Sequence, residues 1–230
     1  MLKLSLQELH EKGWKKREEE LFEEALVYLE VALKRAVEER EYEIAVDVLK
    51  DRCLVWKHLF LVSREEGFAV LAKKDAEGML EIARKQKLEK KLGTSYFRLG
   101  EVAMMVGEFE RAVGYYQQAL EHYQGSLAEK GDYRYHLGEA MYRAGDKSDG
   151  EQMMLEGIEE IKKGAREVDS FLVNVWMSGG YMRLASCLVK DKKKKARKYW
   201  RRAKEIAEGD ERLVIRRRQI EEMGERLGFA

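Results

Sequence analysis

The sequence predicts an all-α chain made of helical hairpins stacked one on the next. The 230 residues include no proline, one asparagine (Asn174) and one threonine (Thr94), so the residues that open turns and strands are nearly missing. Small and bulky side chains recur at helical spacing in several windows along the chain. Charged residues make up 38% of the chain, against about 25% in an average protein, as a thin helical array with much surface to cover requires.

In order, the periodicity places helices near 4–17, 21–39, 41–64, 68–90, 92–106, 109–124, 127–144, 148–164, 167–190, 193–208 and 211–227. The first hairpin carries Gly13, Phe22, Ala25, Leu29, Ala32 and Leu33 and breaks at Glu18–Glu20. The second keeps Ala76, Leu80 and Ala83 at the same spacing behind a longer first helix, with a break at Glu65–Gly67. The third is the clearest. Tyr96, Leu99-Gly100 and Ala103 lead to a break at Gly107, and Phe109, Ala112, Tyr116 and Ala119 follow. The fourth repeats the pattern with Leu137-Gly138, Met141, Gly145, Met154 and Gly157, and Asp146 and Ser148 are expected to cap its second helix. The fifth holds Ala196, Trp200 and Ala203. A final helix, expected to be capped by Asp210, turns Leu213, Ile220, Met223 and Leu227 inward and Arg216, Arg217 and Arg218 outward. Such a helix closes an apolar end that would otherwise stay wet.

Small residues at Gly100, Ala103, Ala112 and Ala119 let two antiparallel helices approach, and Tyr96, Leu99, Phe109 and Tyr116 fill the space between them. Gly107 stands where the first helix must end in a backbone conformation that a Cβ disfavours. This window, 93–126, resembles the tetratricopeptide repeat, and the first and fourth hairpins echo it. The proline usual at the end of such a repeat is Gln124 here, so the second helix is expected to run on or turn softly. The resemblance implies a right-handed α–α superhelix, a solenoid of about five hairpins plus a C-terminal capping helix, forming a single domain over 1–230.

Little in the sequence points to catalysis, and no enzyme activity, cofactor or metal is expected. The histidines His10, His58, His122 and His136 fall on different helices, away from metal-ligand spacing. Gly179-Gly180 lacks the Lys-Ser that a phosphate loop needs. Cys53 and Cys187 lie in apolar helical stretches and read as small core fillers. No apolar run is long enough to span a bilayer, and the first residues lack the pattern of a secretion signal, so a cytoplasmic setting without membrane contact is expected.

The resemblance implies that the first helix of each hairpin lines a concave groove that holds a peptide or extended protein segment. The positions it points to are His10 and Trp14 in the first hairpin and Phe97, Arg98 and Glu101 in the third. In the fourth they are Tyr135, Glu139, Tyr142 and Arg143, and in the fifth Asn174, Ser178 and Tyr181. Aromatic rings mixed with Arg are the material of binding hot spots. Asn174, placed inside a helix where asparagine is a poor choice, has an amide able to donate and accept to a peptide backbone. The carboxylate clamp by which relatives hold chaperone tails needs Lys and Asn at positions that here are His10, Trp14, Phe97 and Glu101, so that specificity is not expected.

Residues 183–218 hold 15 Lys or Arg against 5 Asp or Glu, a local +10, while the rest of the chain holds 29 against 38, or −9. The densest part contains Lys192, Lys193, Lys194, Lys195, Arg197, Lys198, Arg201 and Arg202. An alternative function is therefore nucleic-acid binding along this stretch. Homo-oligomerisation is a further expectation, since exposed solenoid surfaces can pair with their own copies.

Overall fold

The computed structural model describes residues 4–229; residues 1–3, part of the stretch read for a secretion signal, lie outside the described residues. The described residues form eleven helices and no strand. The chain divides into two compact units, Met1–Tyr123 and Gln124–Ala230. The first holds α1 (Leu6–Glu18), α2 (Phe22–Glu38), α3 (Tyr42–Ser63), α4 (Glu66–Lys85), α5 (Glu89–Met105) and α6 (Phe109–His122). The second holds α7 (Leu127–Ala144), α8 (Lys147–Gly164), α9 (Ser170–Leu188), α10 (Lys193–Glu208) and α11 (Val214–Leu227).

One turn geometry recurs. Glu20, Arg40, Lys87, Gly107 and Gly145 adopt positive φ just after a helix. The next amide then donates back to the carbonyl five residues earlier: Leu21 to Lys16, Glu41 to Ala36, Leu88 to Ala83, Glu108 to Ala103 and Asp146 to Met141, at 2.8 to 3.0 Å. This is the Schellman closure. The residue that closes one helix also starts the next. The carbonyls of Leu21, Glu41, Glu108 and Asp146 accept the first bond of the following helix. That geometry corrects the expected caps. Asp146 caps α8 through its backbone, its side chain finds no capping partner among the described residues, and Ser148 lies within the helix. Asp210 instead accepts from the Arg212 amide at 3.1 Å, and α11 starts after Leu213. The left-handed Lys87 ends α4 at Lys85, five residues before the expected end at 90. α6 does not run on past Gln124, because Tyr123 is already extended.

In the first unit, Leu6, Leu9, Ala25, Leu29, Ala32, Ala36, Ala45, Val48 and Val55 form one buried cluster. Alanines at the contacts let α1, α2 and α3 approach, and Leu9 and Leu29 fill the gaps with no exposed surface. In the second unit the α7–α8 pair is closer still. A Cβ on Gly131 would stand 2.4 Å from the Gly157 carbonyl, and one on Gly138 would stand 2.5 Å from the Met154 amide. Those two backbones touch, and only glycine fits between them. The remaining core of this unit gathers Tyr135, Met154, Ile158, Leu184, Trp200 and Ile220. Ile220 and Met223 of α11 are buried as expected, but Arg216 is not an outward residue. Its guanidinium lies 3.6 Å from the Met182 sulfur, and burial pulls its pKa down.

Candidate functional site

Within the first unit, α1, α3 and α5 are tied side by side by charge. His10 shares a 2.7 Å hydrogen bond with Asp51, and Arg17 also donates to Asp51. Burial pushes the Asp51 carboxyl up, but the His10 bond and the Arg17 charge outweigh it and hold it below the usual range. Lys57 of α3 donates to Glu101 of α5, which also receives Arg98. One turn beyond His10, Trp14 is 49% exposed. Phe97, in contrast, is 3% exposed and tilts against Tyr116 with ring centroids 5.4 Å apart. His58 stacks on Phe22 at 5.6 Å, and burial, with help from the Lys57 charge, lowers it to about 4.

In the second unit, Glu139 of α7 is the junction. Its carboxylate accepts from Arg143 at 2.9 Å and from Arg183 of α9 at 2.5 Å while being almost fully buried. Burial raises its pKa, and the two guanidinium groups outweigh that and leave it lowered. Tyr135 is buried, and its hydroxyl and ring occupy the space left by Gly179 and Gly180. That packing explains the glycine pair. Burial raises the Tyr135 phenol well above its ordinary value. Tyr142 is buried and donates to Asp191 at 3.4 Å. Ser178 is fully buried, with its hydroxyl turned onto the Asn174 and Val175 carbonyls. Tyr181 stacks on Tyr199 with centroids 5.9 Å apart. The Asn174 amide donates to Asp210 at 3.1 Å, joining α9 to the turn before α11. Of the twelve groove candidates, Trp14 and Arg143 are exposed, and His10, Arg98 and Asn174 are half-buried. The other seven are buried.

A cavity of about 410 Å³ in the first unit, lined mainly by Phe60, Ala69, Val70, Leu99, Val102 and Val106, escaped the sequence reading. Val70 and Val106 of its lining are exposed apolar residues, a fact that sequence spacing alone does not reveal.

The basic stretch is split by its partners. Glu151 of α8 accepts from Lys192 at 2.6 Å and from Lys195 at 2.5 Å. Arg202 pairs with Glu205 at 2.9 Å, and Arg197 donates to the Phe229 carbonyl at 3.1 Å. Lys193, Lys194, Lys198 and Arg201 are exposed. Trp200 is buried and donates to the Ile220 carbonyl at 2.9 Å. Among the described residues there is no cluster of three His, Cys, Asp or Glu side chains able to hold a metal. Nor, among them, is any helix long and apolar enough to cross a membrane.

Antiparallel helix pairs with this turn closure and this small-to-large packing define a helical-repeat fold like that of tetratricopeptide solenoids. The third hairpin is a tetratricopeptide repeat, for residues 93–126 match that family's model. No curated protein matches the chain in sequence. The fold is similar to that of BtubC (BKLC) from P. vanneervenii, with 22% identity, a TM-score of 0.62, and coverage of 84% of this chain and 76% of that one. It is also similar to a Podosopora anserina putative kinesin light chain with nearly identical TPR-like repeats, at 13% identity and a TM-score of 0.59, over 90% of this chain and 97% of that one. A Rap protein complexed with competence and sporulation factor shares 13% identity and a TM-score of 0.64 over 97% of this chain. The match spans 64% of that Rap protein, less than two thirds of its length. What these proteins share with this one is the fold.

Proposed function

We propose that the first unit holds an extended segment of another protein along the first-helix side of α1, α3 and α5, and that the protein works by this binding and not by catalysis. A tetratricopeptide-like fold suggests a protein-interaction module, and a Rap protein of similar fold is known in complex with competence and sporulation factor. The observation that carries the reading is Trp14. A large ring stands half in water one turn from His10, on the helix that Asp51 ties to α3. Covering the rest of that ring would supply about 2 kcal/mol, enough to make it an anchor. On α5 the half-buried Arg98, paired with Glu101, adds a cationic group for a partner's polar atoms. Within the second unit, Arg143 is exposed and Asn174 half-buried on α7 and α9.

The test is affinity capture of partners from the source cell, followed by titration of the captured protein against wild type and Trp14→Ala. Loss of at least about tenfold in affinity is expected, with little change in melting temperature because the ring packs no core. Equal affinity for both forms would remove this site.

A further inference from the structure

The outer face of α10 is cationic from Lys193 to Arg202, and its exposed acids, Glu205 and Glu208, come only in the turns beyond. Lys194, Arg197, Lys198 and Arg201 stand at helical spacing of three, four and seven, forming one stripe about 10 Å long, with Lys193 beside it. The opposite face, Ala196, Trp200, Ala203 and Ala207, is buried. Three acids of the region already hold other cations. Glu151 takes Lys192 and Lys195, Glu205 takes Arg202, and Glu208 takes Lys204. Among the described residues, no carboxylate lies within 4.0 Å of Lys193, Lys194, Arg197, Lys198 or Arg201. The arrangement is also unfavourable to the helix itself. Lysines fill the start of α10 and no acid stands in its first turn. Positive charge there opposes the helix dipole.

We propose that this face of α10 docks an acidic segment of a partner protein, whose carboxylates pair along the stripe. The surface uses different helices from the Trp14 site, so either can fail without the other. The chemistry favours a protein acid over a nucleic acid. Trp200 is 6% exposed and Tyr199 is stacked on Tyr181, so the face offers no open ring to a base. The rest of the chain carries 38 acids against 29 bases, which repels a long polyanion, whereas a short acidic segment meets only the local excess of 15 bases over 5 acids.

Fluorescein-labelled decaglutamate, with a labelled DNA duplex and a labelled RNA strand of matched length, tests this on the full chain by anisotropy. Decaglutamate is expected to bind wild type more tightly than either nucleic acid at the same ionic strength, with an affinity that falls as salt rises. The variant Lys194→Gln, Arg197→Gln, Lys198→Gln, Arg201→Gln is expected to lose at least about tenfold, and Arg197→Gln with Arg201→Gln to lose part of that. A control that neutralises as many exposed lysines elsewhere (Lys34→Gln, Lys74→Gln, Lys85→Gln, Lys90→Gln) is expected to bind as wild type does. No binding of decaglutamate, equal binding by wild type and the α10 variants, equal loss in the control, or tighter binding of DNA or RNA would each overturn the proposal.

Discussion

Tyr116 occupies the space that a side chain at Gly100 would need: a Cβ there would stand 2.6 Å from the tyrosine Cε1. Tyr116 is fully buried and cannot step aside into water. Gly100→Ala should therefore destabilise the protein by about 1–3 kcal/mol. Gly114, in the middle of α6, has nothing within 4 Å of its would-be Cβ. Gly114→Ala should stabilise by about 0.5–1 kcal/mol, since alanine restricts the unfolded chain. Urea midpoints of the two variants should move in opposite directions, and a shift of the same sign would refute the packing at Gly100.

His58 gives the stability a pH dependence. Burial holds it near 4 in the folded chain, against an ordinary value near 6.5. Between those values the unfolded chain carries the proton and the folded chain does not. Stability is therefore full above about pH 6.5, falls as pH drops toward 4, and gains no further loss from this group below that. The total is on the order of 3 kcal/mol. His58→Phe keeps the stack on Phe22 and should flatten this part of the pH–stability curve. An unchanged slope would mean that another group sets it.

Glu139 is buried and pairs with two guanidinium groups that are each about a third exposed. Glu139→Ala would leave Arg143 and Arg183 facing each other without their shared carboxylate. A loss of about 1–3 kcal/mol is expected, less than for a fully buried pair because both arginines keep contact with water. Glu139→Leu combined with Arg183→Met should recover much of it, because the uncompensated charge goes too. Thermal melts of the single and double variants decide this, and additive losses would argue against a shared charge.

Both thiols are silent in the folded protein. Burial raises Cys53 and Cys187 to about 12. At pH 8 about one thiol in ten thousand would be thiolate, and neither is exposed to reagent. Ellman's reagent should report no fast thiol in native buffer and two after unfolding in urea. A rapid native reaction would show that one of the helices opens.

The helical frame could be read from the sequence because spacing alone defines it. Gly107 and Gly145 mark turns that the structure closes where expected. Solvent contact was much harder to read. Phe97 stands at a position that the family resemblance turns outward, yet it lies against Tyr116, which comes from the next helix. Tyr135 is drawn inward by the absence of side chains at Gly179 and Gly180, some forty residues away. Asn174 was read for its amide, and its partner, Asp210, belongs to a turn whose path local sequence does not dictate. Trp14, by contrast, keeps about half of its surface in solvent.

The left-handed turns have a consequence for how this protein can change. Gly107 and Gly145 adopt their conformation without resistance, whereas Glu20, Arg40, Arg64 and Lys87, all in the first unit, force a Cβ against the backbone at φ between 55 and 63°. Each carries a penalty of about 1 kcal/mol that a glycine would relieve, less the freedom glycine returns to the unfolded chain. The first unit therefore keeps unspent headroom in its corners. A lineage or an engineer could draw on it to tolerate costly surface changes, leaving the interior untouched.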